Sequence, residues 1–221
     1  MPRTGAPVRP DLEERTESLI EWLRLNAKLV SVAAAVILAV GAGVWFYQEW
    51  KDRRQQNAAR ALGDAQMALA QNNTALAQSE LRRVITRYDG TPAGRQASIL
   101  MAQVLYGTGK YQEGIDALQR LEREGGDAVD QGVLHSLLAA GYEQLGKLPE
   151  AGEHYKKASE TARFELDQDT YLANAARVYS VAGNTAEAKR IWQQLAEQTD
   201  SPLSAEARVR LGELEATARG G

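Results

Sequence analysis

The sequence contains no cysteine, which excludes disulfides, thiolate metal sites and thiol catalysis and is compatible with either side of a bacterial inner membrane. Histidine is nearly absent too: His135 and His154 are the only two, and neither stands in an H-E-x-x-H or comparable spacing, so both are expected as partly packed or surface residues. There is no basic excess. Lys and Arg total 26 against 29 Asp and Glu, a formal charge of −3, so no attraction to nucleic acid is implied. β-branched residues are sparse outside one stretch, while alanine, leucine, glutamate, glutamine and arginine dominate, a composition that favours helix. No nucleophile, acid–base pair or metal-ligand set converges in the pattern. The chain is therefore expected to be no enzyme, to take no cofactor or metal, and to have no small-molecule substrate.

Proline is scarce, six in all, and three of the six fall in residues 1–10, MPRTGAPVRP, which bury nothing and are expected as a disordered tail. In residues 11–28, Asp11 and Glu14 read as an N-cap and its return partner. Leu12, Leu19, Ile20, Trp22 and Leu23 then sit among charges, the pattern of an amphipathic juxtamembrane helix. That helix either contacts a partner or the membrane surface, or simply continues the following segment outward.

Charge is missing from one stretch altogether. Leu29–Gln48, LVSVAAAVILAVGAGVWFYQ, runs for 20 residues between Lys28 and Glu49 without a charged side chain. At about 1.5 Å per helical residue it spans the roughly 30 Å hydrocarbon core of a bilayer. Trp45, Tyr47 and Trp50 crowd its far end, where amphipathic rings settle at a headgroup boundary. A cleaved signal peptide is the main rival, but it has a shorter apolar core, a short basic start and a small-residue cleavage site. Here 28 residues precede the run, Asp11, Glu13, Glu14, Glu17 and Glu21 among them. A single transmembrane helix over residues 29–48 is the expectation. Inside it Ser31, Ala35, Ala39 and Gly43 fall four apart, a candidate membrane packing face or a chance row in an alanine-rich span. Positive residues flank both ends (Arg15, Arg24 and Lys28; Lys51, Arg53, Arg54 and Arg60), so charge alone leaves the orientation open. No proline interrupts Glu49–Gln71, which predicts a helix running out of the span into the next part of the chain as a stiff mount.

Residues 49–200 repeat. Asn72, Gly109, Gly146 and Gly183 are each 37 residues apart. The same step relates Ala65, Ala102, Ala139 and Ala176, then Ala68, Leu105, Tyr142 and Tyr179, and then Ala77, Gly114, Ala151 and Ala188. It continues through Leu81, Leu118, Tyr155 and Trp192, and through Val84, Leu121, Ala158 and Leu195. Small residues let two helices cross closely, and the glycine column supplies left-handed caps that end the first helix of each pair. Pro92 and Pro149 stand near the starts of new helices. Tyr106-Gly107-Thr108-Gly109-Lys110 does not meet the phosphate-loop spacing and reads as a turn between repeat helices. Asp200-Ser201-Pro202 closes the array, and residues 201–221 read as a capping helix and tail with Leu211 inward.

Small-x-x-Tyr, a glycine four residues on, then alanine, an aromatic and alanine or leucine resembles the tetratricopeptide repeat. The third unit carries it best, with Leu138, Ala139, Tyr142, Gly146, Ala151, Tyr155 and Ala158. The fourth follows, the second is looser and the first is degenerate. The resemblance implies an all-α fold: a single N-terminal transmembrane helix followed by a right-handed α-solenoid of about four repeats. In that family the first helix of each pair lines the concave side. This carries over here as a candidate partner-binding face of Gln66, Gln103, Tyr106, Glu143, Gln144, Asn174 and Arg177. Nothing resembles the carboxylate clamp of chaperone-binding members, so a charged C-terminal tail is not the expected ligand.

The order of parts resembles the bacterial ancillary subunit of the Sec translocon. The specific portions are Glu21-Trp22 to Asn26-Ala27-Lys28 at the entry to the span and Trp45 to Trp50 at its exit. That resemblance implies a cytoplasmic N-terminus, repeats in the periplasm, and proteins as partners: the Sec translocon, periplasmic chaperones or client peptides. The alternative is a membrane-tethered scaffold for envelope assembly or polysaccharide export.

Overall fold

The computed structural model describes residues 21–125 and 131–220, with side chains as far as residue 216. The expected tail at residues 1–10, and the juxtamembrane segment before Glu21, lie outside the described residues. The chain falls into two units, Met1–Arg53 and Arg54–Gly221.

The first unit is helical. Residues 21–25 form a helical turn, Asn26 loosens it, and α1 (Ala27–Ala70) begins. At Asn26 both the backbone N–H and the side-chain amide donate to the carbonyl of Trp22, at 3.0 and 2.9 Å. The most apolar 18-residue window of α1 has a mean hydropathy of 2.4 and none of it is buried, so by length and composition the helix is able to cross a membrane. Ser31, Ala35, Ala39 and Gly43 are all exposed, and a Cβ added at Gly43 meets nothing within 4 Å.

The last turns of α1 belong to the second unit, where helices follow in antiparallel pairs: α2 (Thr74–Arg87), α3 (Pro92–Gly107), α4 (Tyr111–Glu124), α5 (Gln131–Gln144), α6 (Leu148–Thr161), α7 (Glu165–Val181), α8 (Thr185–Glu197) and α9 (Ser204–Gly220). No strand occurs among the described residues. Starts are set by caps and prolines. Asn73 and Thr91 accept from the N–H groups of Leu76 and Gly94, each at 3.1 Å, and Pro92 and Pro149 occupy first turns.

The ends of the first helices are set by the 37-residue column. Asn72, Gly109, Gly146 and Gly183 have φ of 56°, 77°, 71° and 79°, the left-handed region. The next N–H in each case turns back to the carbonyl five residues earlier: Asn73 to Ala68, Lys110 to Leu105, Lys147 to Tyr142 and Asn184 to Tyr179, at 2.8–2.9 Å. The same reverse bond closes all four turns, including the one where the repeat pattern is weakest in sequence.

The columns build the core. Ala65, Ala102, Ala139 and Ala176 are fully buried, and Leu81, Leu118, Tyr155 and Trp192 pack beside them with no more than 7% exposed. Three apolar clusters follow one another along the unit, centred on Leu81 and Val84, on Ile115 and Leu134, and on Tyr179 and Trp192, the last packed against Leu211 of α9.

Candidate functional site

Each unit leaves one face of its first helix outside this core. Gln66 (α1), Gln103 (α3) and Gln144 (α5) are exposed there, and Asn174 (α7) is half-buried. Glu143 and Arg177 are brought together. The Arg177 guanidinium donates from Nη1 and Nη2 to Oε1 and Oε2 of Glu143 at 2.8 and 2.9 Å, a two-pronged pair joining α5 to α7. The Tyr155 hydroxyl adds a long donation to the same carboxylate at 3.4 Å. Arg177 holds the Glu143 carboxyl below the usual carboxylate range, although burial opposes this. Burial, with the Glu143 charge beside it, pushes the Tyr155 phenol up to about 12. Asn174 and Arg177 also line a cleft of about 190 Å³ with Thr170, Ala173, Trp192, Leu203, Glu206 and Arg210, between α7 and α9.

Tyr106 is placed differently from its neighbours on this face. It is half-buried, its hydroxyl donates to the Leu137 carbonyl of α5 at 3.1 Å, and its ring lies against Gly114 and Gly141. Burial pushes its phenol well above the usual tyrosine range. It acts as a spacer between the second and third units. The sequence signal was available: a glycine where the fourth column otherwise has alanine, with a tyrosine eight residues before it.

Sequence reasoning missed several features. His135 and His154 face each other with their Nδ1 atoms 3.4 Å apart, His154 stacks on Tyr142, and Glu122 of α4 comes within 3.7 Å of His135. Burial foremost holds both imidazoles below their ordinary pKa. A larger cleft of about 550 Å³ lies among α2, α3 and α4, with Met101, Leu105 and Leu121 in its wall and Arg82, Asp89, Arg95, Asp116 and Arg120 around it. Among the described residues, no group of three His, Cys, Asp or Glu side chains stands where it could hold a metal ion.

The repeated left-handed turns, the buried alanine columns and the open first-helix faces define the architecture. The sequence profile of the tetratricopeptide repeat-like domain matches residues 21–170, most of the chain, and that of the tetratricopeptide repeat matches residues 174–220. The chain belongs to the tetratricopeptide repeat-like family. Such repeats typically form non-catalytic scaffolds and protein–protein interaction modules. No curated protein sequence matches it. Among solved structures, this tetratricopeptide repeat-like protein is similar to a putative kinesin light chain with nearly identical TPR-like repeats from Podosopora anserina. That likeness has 14% identity and a TM-score of 0.58 over 75% of this chain and 89% of the other. A tetratricopeptide repeat protein from Parabacteroides merdae gives a TM-score of 0.60 at 13% identity, over 73% of this chain and 61% of that one. BtubC from P. vanneervenii gives 0.54 at 17% identity, over 76% and 84%. At these identities the likeness concerns the fold.

Proposed function

We propose that this tetratricopeptide repeat-like protein is a non-enzymatic, membrane-anchored interaction module of the bacterial cell inner membrane. On this reading Leu29–Gln48 is a single-pass span, the N-terminus is cytoplasmic, and the repeats stand in the periplasm. There they serve as an ancillary subunit at the Sec translocon, linking it to periplasmic chaperones or emerging clients. The observation that carries the proposal is one helix, α1, whose apolar stretch has no buried residue and which runs on into the first repeat of an interaction fold. Uncovered in water, such a segment is an aggregation liability, and a bilayer removes that penalty. The first-helix face, with Gln66, Gln103, Gln144, Asn174 and the Glu143–Arg177 pair, is the surface offered to an extended peptide.

The experiment is in-cell photo-crosslinking from Gln103 and Gln144, followed by solubilisation in mild detergent and identification of the adducts. Translocon subunits, periplasmic chaperones or exported clients in the adducts support the proposal. Adducts confined to envelope-assembly or polysaccharide-export machinery would replace it with the scaffold alternative.

A further inference from the structure

The cleft of about 550 Å³ among α2, α3 and α4 lies on the side of α3 opposite Gln103, and the repeat explains why it is open. Its counterpart between α4 and α6 is filled by His135 and His154, and the next one, between α6 and α8, by Leu172 and Ile191. One 37-residue step before His135 and His154 stand Ser98 and Ala117, which line the cleft without closing it. The wall they leave uncovered is apolar, with Ile85, Met101 and Leu121. Two later units carry larger side chains at the same two positions, so the fold does not require this space to be empty.

The rim adds unpaired cations. One step after Arg82 is Gln119, so Arg82 of α2 and its near counterpart Arg120 of α4 stand at almost the same level on neighbouring helices, and both line the cleft. Arg95 joins them from α3, its Nη1 donating to the Gly90 carbonyl at 3.0 Å while its Nε is buried without a partner. Among the described residues, no ion pair engages any of these three arginines. The acids of the lining stand toward its ends. Asp89 follows α2 and Glu124 is the last residue of α4, while Glu113 and Asp116, near the start of α4, have Lys110 at 3.7 Å and Gln112 at 2.9 Å. We propose that this cleft docks an extended segment of a partner protein in which an aromatic side chain adjoins a carboxylate, the ring entering against Ile85, Met101 and Leu121 and the carboxylate lying between Arg82 and Arg120. Guanidinium groups suit a carboxylate because their N–H donors match its two oxygens, and a ring in an apolar pocket beside such a pair is the usual form of an anchor. The neighbouring gap shows that flat rings suit the space, since His135 and His154 pack together there and His154 stacks on Tyr142. This surface is separate from the first-helix face and does not rest on the translocon reading.

The test uses the full chain in detergent, isotope-labelled at the methyl groups of its three methionines and followed by NMR, titrated with the peptide Ac-Ala-Phe-Glu-Ala-amide. Met101 reports the cleft, and Met67, 61% exposed on α1, is the control. The Met101 signal is expected to shift and saturate. The twin with glutamine for glutamate should bind about fivefold more weakly, and the twin with alanine for phenylalanine at least about tenfold more weakly. Arg82→Gln combined with Arg120→Gln, both at exposed positions, should erase the difference between the glutamate and glutamine peptides. Ser98→Leu with Ala117→Ile, the residues that the fourth unit uses, should close the cleft and abolish binding; should that variant fail to fold, the arginine variant decides. No Met101 shift at millimolar peptide, equal binding of the glutamate and glutamine peptides, or a shift at Met67 alone would overturn the proposal. So would a Met101 shift that follows protein concentration without peptide, the mark of a second copy of the chain in the cleft.

Discussion

Gly141 marks where two repeats are spaced by one side chain, and replacing it with alanine gives a sharp prediction. In an ordinary helix interior, Gly→Ala stabilises by about 1 kcal/mol. Here the new methyl lands inside van der Waals contact of the Tyr106 hydroxyl, 2.7 Å from its ring carbon Cζ and 2.8 Å from Ile115 Cγ1. The ring cannot swing away freely. It also packs on Gly114, and its hydroxyl is tied to the Leu137 carbonyl. Overpacking of this kind costs about 1–3 kcal/mol, and displacing the hydroxyl forfeits about 1 more. The net expectation is a loss of about 1–3 kcal/mol, which lowers the thermal midpoint by several degrees for a domain of this size. Removing the ring changes the sign. Tyr106→Ala alone costs about 3–5 kcal/mol, but in its background Gly141→Ala becomes neutral or stabilising by up to about 1 kcal/mol. Urea titrations of the four proteins in detergent, followed by circular dichroism, close the cycle. A stabilising Gly141→Ala in the native background, or the same effect in both, would refute the reasoning that makes Tyr106 a spacer.

Three further outcomes follow from the geometry. Arg177→Ala and Glu143→Gln, combined in a double-mutant cycle, should yield a coupling of about 0.5–1 kcal/mol, modest because the arginine is nearly half exposed. Arg177 holds the Glu143 pKa below 4.5, so the pair's contribution is present above that value and fades as pH falls through the depressed one; a coupling unchanged in acid contradicts this. The His135–His154 pair, one ring buried and the other half-buried, works in the same direction at higher pH. Both are held below 6.5, the unfolded chain binds protons first, and stability should decline as pH drops from 6.5; His154→Gln should flatten that slope, and a flat wild-type urea midpoint contradicts the assignment. Gly146→Ala, at φ 71°, should lose about 1–2 kcal/mol, whereas Asn72→Gly at φ 56° should be neutral or slightly stabilising, both read from urea midpoints.

The repeat was legible because its signals are local or strictly periodic. A left-handed cap needs glycine or asparagine wherever it occurs, so Asn72, Gly109, Gly146 and Gly183 mark helix ends even in the degenerate first unit. The alanine column was equally plain, since two crossing helices admit nothing larger at the contact. The functional surface was legible only as a face. That Glu143 and Arg177 pair, or that Tyr106 fills the space opposite Gly141, depends on the rotation of one repeat against the next, a geometry that no single unit encodes.

The most direct test of the anchored-module account is topology. Because the chain has no cysteine, Gly221→Cys introduces a unique thiol for a membrane-impermeant maleimide, applied to intact cells whose outer membrane has been permeabilised. The account predicts labelling without lysis of the inner membrane, which puts the repeats in the periplasm. Labelling only after inner-membrane lysis would contradict it and leave a cytoplasmic adaptor tethered to the membrane.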